Sequence, residues 1–302
     1  LLNSSVARGA GEGFTLERIL DPAIDVYLDD HQLDGRPVLP MAAALEMMVE
    51  LAELGWPALT VTEVRELSVL KGIALNEENN RQKSVRFDAR VVDEGHPDAL
   101  SAQIEVRDAD DPSVLYYRST VVQARSLDRL GKHSPAEVER AYPLSVADAY
   151  RKYLFHGQRF AHIEGIEGAT RSGLLARIRP SDPEVFINGG SGDWLIDPVV
   201  FDSGLQLVLL WTRNEYDVTP LPARFARYRR FGPLSPSNGG PILCELLARP
   251  QAGGAMVVAD LTFFEEDGNV LGILEGLECP ASRELNRLGG TARLDQASGG
   301  VG

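Results

Sequence analysis

Met41-Ala42-Ala43-Ala44-Leu45-Glu46-Met47-Met48-Val49-Glu50-Leu51-Ala52-Glu53-Leu54 is a run of strong helix formers with almost no polar side. It predicts a helix over 41–54, ended by Gly55 and Pro57. A surface helix would carry a polar stripe at a 3.6-residue period, so apolar residues on nearly every side demand burial on most faces. A sheet long enough to curl around a helix satisfies that demand.

The flanking sequence supplies the sheet. Strand-like runs follow at 60–75, 84–92, 101–107 and 114–125, separated by polar turns. Upstream, 14–30 is mixed in pattern, with Asp25-Val26-Tyr27-Leu28 reading as a short edge strand. A polar segment, 126–145, carries Gly131, Pro135 and Pro143 and reads as a surface linker. The plan then repeats: a short helix at 146–154, a loop through Phe160, strand-like runs over 162–179 and a Gly-rich loop at 188–192. A second apolar helix runs from Pro198 to about Arg213, with Asp197 as N-cap and Pro198 in the first helical position. Strands are expected again at 223–231, 242–248, 255–265 and 270–278, with Asp267-Gly268 as a hairpin signal between the last two. The expected fold is α+β, a double hot-dog: two antiparallel sheets, each wrapped around a central helix. Its parts are a linker at 1–13, an N-terminal hot-dog at 14–125, an inter-hot-dog linker at 126–145, a C-terminal hot-dog at 146–282 and a C-terminal linker at 283–302. The small polar residues at both ends and the initial Leu1 suggest a domain of a longer polypeptide.

Composition narrows the function classes. Of 302 residues, 44% are hydrophobic and 25% charged, the profile of a soluble globular chain. Apolar runs such as 205–211 are far shorter than the ~20 residues that span a bilayer, and no secretory leader pattern is present. Two cysteines, Cys244 and Cys279, make neither a disulfide framework nor a Cys-rich zinc site, so a reducing cytoplasm is expected. A net charge of −14 argues against nucleic acid and against an anionic membrane surface. An acidic partner would need a local basic patch, for which Arg224, Arg227, Arg229 and Arg230 are the candidates; a solvated strand with local salt bridges is the competing account. No His or Cys pair has metal-ligand spacing, and neither a phosphate-binding loop nor a Gly-x-Ser-x-Gly elbow occurs.

Two segments carry chemistry. The first, His31-Gln32-Leu33-Asp34-Gly35-Arg36-Pro37-Val38-Leu39-Pro40, places an imidazole, a glycine and a helix N-terminus within a few residues. A lone loop histidine is ordinarily structural, but a base beside free N–H groups is what abstraction of an α-proton needs. The second runs from Asp197 to Gln206. Asp202 and Gln206 are four apart and share a helix face, and an acid on an otherwise apolar helix calls for a reason. Placement near the positive end of the helix dipole is one; a catalytic role is the other.

His31…Gly35…Pro40 together with Asp202-x3-Gln206 resembles the paired signature of polyketide-synthase dehydratase domains, a similarity spanning roughly 14–280. Leu221-Pro222 before a basic strand and the closing Asp267-Gly268 hairpin are also similar to that family. One segment departs from it: where the family has Tyr-Gly-Pro-x-Phe, this chain has His156-Gly157-Gln158-Arg159-Phe160, a variant that looks closest to iterative, enediyne-like synthases. The resemblance implies dehydration of a β-hydroxyacyl thioester to the α,β-enoyl thioester. His31 would be the base and Asp202 the acid, and Gly35, Leu39, Pro40, Gln206, His156 and Gly157 would be substrate contacts. It implies no metal and no cofactor of its own. The substrate would ride on the phosphopantetheine of an acyl carrier protein, with neighbouring synthase domains as partners and a homodimer within the synthase. A cyclase or isomerase using the same His and Asp, a hydratase acting on coenzyme A thioesters and a non-catalytic scaffold domain are the alternatives.

Overall fold

In the computed structural model, residues 1–2, 7–8, 13–76, 81–96, 99–235 and 239–291 are described. The N-terminal half contributes β1 (Ala7–Arg8), β2 (Gly13–Leu20), the short β3 (Gln32–Leu33) and β4 (Arg36–Pro37), and α1 (Met41–Gly55). It continues with β5 (Thr60–Val69), β6 (Lys83–His96), β7 (Ala99–Asp108) and β8 (Leu115–Ala124). The C-terminal half contributes α2 (Val146–Tyr153), β9 (Ile163–Thr170), β10 (Gly173–Ile178), α3 (Pro183–Phe186) and α4 (Pro198–Tyr216). After these come β11 (Thr219–Pro220), β12 (Arg224–Arg230), β13 (Ile242–Gln251), β14 (Met256–Phe264) and β15 (Val270–Ser282).

The expected double hot-dog is present. In order across the sheet, β2-β6-β7-β8-β5 wraps α1 and β12-β15-β14-β13-β10-β9 wraps α4. The two half-sheets join into one, because β5 and β12 pair antiparallel, Val64 opposite Tyr228 and Glu63 opposite Arg229. Alternation does the sorting: in β7 every second residue is buried, so one face turns to the core and the other toward solvent. The helices α1 and α4 also pack against each other, which explains why both lack a polar stripe. From Met41 to Val49 every residue of α1 is buried, including Glu46. The Glu46 carboxyl accepts from Leu195 N (2.8 Å) and Ile196 N (2.7 Å), and burial pushes its pKa well up. Those bonds tie α1 to the segment that leads into α4.

Asp197 caps α4 as expected, accepting from Val199 N (2.8 Å) and Val200 N (3.1 Å). The basic strand is electrically quiet. Arg224 faces Glu278, Arg227 faces Glu63, Arg229 faces Glu275 and Arg230 faces Glu53, so neighbouring carboxylates cancel its charge locally. That pattern matches the local salt-bridge account, with Glu63 shared between Arg65 and Arg227.

Two local expectations are corrected. Asp25-Val26-Tyr27-Leu28 is no edge strand: Val26–Asp30 forms a 3₁₀ turn, with consecutive Tyr27 and Leu28 both buried. Asp25 ends the chain reversal by accepting from Arg18 Nη2 (2.5 Å) and Asp21 N (3.0 Å). The strand in this region is β2, whose alternation begins earlier. Within 126–145, read as a surface linker, His133 is half-buried with Nε2 2.6 Å from Glu245 Oε2. It pins 126–145 onto the C-terminal half, as does the Tyr142 hydroxyl donating to Leu210 O (3.0 Å). The described part of 283–302 is packed too: Leu288 is buried, and Arg287 forks onto Asp34. The remainder, 292–302, lies outside the described residues, as do 3–6 and 9–12 of the 1–13 segment. No helix among the described residues is long and apolar enough to cross a membrane.

Candidate active site

His31 follows the 3₁₀ turn directly. Its backbone closes a small ladder, with Val38 N donating to His31 O (3.0 Å) across the β3–β4 hairpin. The imidazole Nδ1 lies 2.8 Å from Val38 O. A carbonyl can only accept, so Nδ1 carries the proton and Nε2 keeps its lone pair. His31 also bridges, backbone to backbone, to His156 in the other half. That crossing is locked by Gly157 N donating to Asp30 O (2.7 Å), while the Asp30 carboxylate accepts from Arg159 N (3.1 Å) and Nη1 (2.9 Å). A Cβ on Gly157 would overlap the Asp30 carboxylate. Gly157→Ala is therefore expected to displace Asp30 and cost ~1–3 kcal/mol; a thermal melt against wild type checks it.

Asp202 comes from α4, one turn past the N-cap and buried. Gln206 Nε2 donates to Asp202 Oδ2 (2.9 Å) and to Phe160 O (3.1 Å), while the Tyr150 hydroxyl donates to Gln206 Oε1 (2.8 Å). Gln206 is thus clamped at both ends of its amide and fixes the carboxyl. His156 Nε2 lies 3.3 Å from the same Oδ2, its ring stacked on Phe155 with centroids 4.1 Å apart. One ligating atom from each of His31, His156 and Asp202 falls within 4.8 Å of the others.

Burial sets the protonation states. It lowers the His31 pKa to about 4, partly opposed by the Val38 carbonyl. It lowers His156 well below the ordinary imidazole value, and nearby His31 adds to the effect. It raises Asp202 to about 7, against the pull of the Gln206 N–H. At neutrality the site holds two uncharged imidazoles beside a carboxyl that is still substantially protonated: a proton acceptor and a proton donor side by side.

These groups border a cavity of about 220 Å³ whose walls come from both halves, including Val69 and Tyr117 from one and Leu205 and Pro222 from the other. Of the residues the sequence singled out, His31, Leu39, His156, Asp202 and Gln206 line it. The structure places the other three elsewhere. Asp34 and Gly35 both have positive φ and form the two-residue turn between β3 and β4, so Gly35 is an exposed turn residue with open space around it. Pro40 is the buried N-cap of α1, and Gly157 acts through the crossing described above. Sequence reading missed Tyr150, Phe155 and the Pro220–Pro222 wall. Ordinary apolar and aromatic residues carry no local mark of the cavity they will share, although Leu221-Pro222 did stand out as a family feature.

A family model described as "Polyketide synthase dehydratase N-terminal domain" matches residues 130–288, more than half of the chain, and one described as "Polyketide synthase dehydratase domain" matches 1–105. The chain belongs to the polyketide synthase dehydratase family. This dehydratase-family chain is also 24% identical over 269 residues to one of the subunits of the polyunsaturated fatty acid synthase of Thraustochytrium sp. (strain ATCC 26185 / S-3); the match covers 86% of the chain and 9% of that relative's length. In fold it is similar to the dehydratase domain from the CurF module of curacin polyketide synthase, with a TM-score of 0.73, 17% identity and coverage of 92% of this chain and 98% of that one. It is also similar to the dehydratase domain of the polyketide PpsC from Mycobacterium tuberculosis, with a TM-score of 0.67, 19% identity and coverage of 92% and 97%.

Proposed function

We propose that this dehydratase-family chain removes water from a β-hydroxyacyl thioester held on the phosphopantetheine of an acyl carrier protein, as one domain of a longer synthase. The observation that carries the reading is an uncharged imidazole and a carboxyl still substantially protonated near neutrality, both facing one largely apolar cavity. His31 Nε2 takes the α-proton beside the thioester carbonyl. The electron pair moves onto the carbonyl oxygen, near the first turn of α1, where Pro40 supplies no side-chain cap and Met41 borders the cavity. Collapse of this enolate forms the Cα–Cβ double bond and breaks the Cβ–O bond, and Asp202 protonates the departing hydroxyl. Water leaves. The proton on His31 then returns to Asp202 through an intervening water, since their facing atoms lie within 4.8 Å but not at hydrogen-bond distance.

Walls drawn from both halves favour an extended arm lying between them. A second version has His31 return the same proton to the hydroxyl while Asp202 only orients it; the raised carboxyl pKa favours the two-residue version. Incubation with a β-hydroxyacyl thioester of a phosphopantetheine mimic, followed by mass spectrometry, tests the reaction. Loss of one water is expected. A product of unchanged mass but shifted chromatographic retention would identify cyclisation or double-bond migration instead, and recovery of substrate unchanged in both mass and retention would support the scaffold alternative.

A further inference from the structure

The geometry points to a binding site for one divalent transition-metal ion, of the zinc or cobalt kind, formed by His31, His156 and Asp202, in which the metal competes with turnover. His156 Nε2 and Asp202 Oδ2 are already 3.3 Å apart. That matches the edge of a tetrahedral shell with bonds of roughly 2.0–2.1 Å. The third ligand atom lies within 4.8 Å of both, so completing the shell asks the His31 side to close by roughly 1.5 Å.

The surrounding bonds suit this use. The Nδ1–H of His31 is committed to Val38 O, the outer-shell contact that orients a ligating imidazole through its other nitrogen. Gln206 holds the Asp202 carboxyl in the same way. Buried His156 Nδ1 has no hydrogen-bond partner and can hold the ring proton, which leaves Nε2, the nitrogen 3.3 Å from Asp202 Oδ2, to act as the ligand. Two imidazoles and one carboxylate form a donor set suited to zinc, cobalt, nickel or iron rather than to magnesium or calcium. All three side chains are buried, yet they border the cavity, which leaves a fourth position for water or a small ligand. The ion would occupy the Nε2 lone pair of His31 and replace the acidic proton of Asp202. Metal binding and the proposed dehydration therefore exclude each other.

Cobalt(II) titration of the intact chain tests the site without relying on turnover. A saturable visible absorption at one equivalent is expected, discharged by zinc and preserved in His133→Gln, whose side chain lies outside the cavity. In His156→Phe the affinity should fall by more than the ~10–100-fold typical of losing an outer-shell partner. Asp202→Asn serves as a second variant should His156→Phe fail to give a native far-UV spectrum. Absence of the absorption in the intact chain, or its persistence in folded His156→Phe, overturns the site. In the mass-spectrometric assay zinc should suppress water loss and a chelator should restore it. If the chain does not dehydrate the thioester, the cobalt signal still decides the metal site independently.

Discussion

Replacing His31 by alanine is expected to lower enoyl product formation by at least ~100-fold, the scale of a positioned general base. The reason lies in how few groups can accept the α-proton. His31 Nε2 is unprotonated at every pH above about 4, and its other nitrogen is occupied by Val38 O. His156 is also uncharged, but its Nε2 lies against Asp202. His31→Gln is the informative companion, because its side-chain amide can still donate toward Val38 while offering no comparable base. Both variants should bind a non-reactive substrate analogue with near wild-type affinity while losing kcat. Wild-type turnover in a folded His31→Ala chain would remove His31 as the base.

Asp202→Asn is expected to cost a similar factor of ~100 and to change the shape of the pH profile. In the wild type the rate should fall below about pH 4, as His31 gains a proton, and above about pH 7, as Asp202 loses one. The asparagine variant cannot ionise, so its residual activity should lack the alkaline fall. Stability should move the other way. A carboxyl raised from 3.8 to about 7 by burial is fully compatible with the fold below its unfolded pKa. As pH rises from that value through about 7 the fold is progressively destabilised, by ~4 kcal/mol at ~1.4 kcal/mol per unit. Asp202→Asn should therefore melt at a higher temperature than wild type at pH 8, with much less difference near pH 4. A variant that keeps most of its activity would support the single-base route instead.

The two most legible features rest on patterns a folded chain cannot evade. A helix apolar on all sides must be wrapped, and α1 is. An acid on a buried helix needs a partner, and Gln206, one turn on, is that partner for Asp202. The Asp25–Leu28 segment suggests a strand through its β-branched and aromatic residues, but the Asp21 and Asp25 bonds turn the chain first. Gly35 belongs to a motif that implies contact with substrate, yet Asp34-Gly35 is also a hairpin dipeptide, and the turn uses it.

Sequence by itself determined that this chain has two repeats of a wrapped helix, because periodicity is a local property, and its resemblance to a known family pointed to His31 and Asp202 as base and acid. Only the tertiary structure decided that His156 joins His31 and Asp202, that Gly35 stays outside, and that the carboxyl keeps its proton near neutrality. Those outcomes depend on distances between segments far apart in the chain and on how much water their packing removes, and no short stretch of sequence encodes either one.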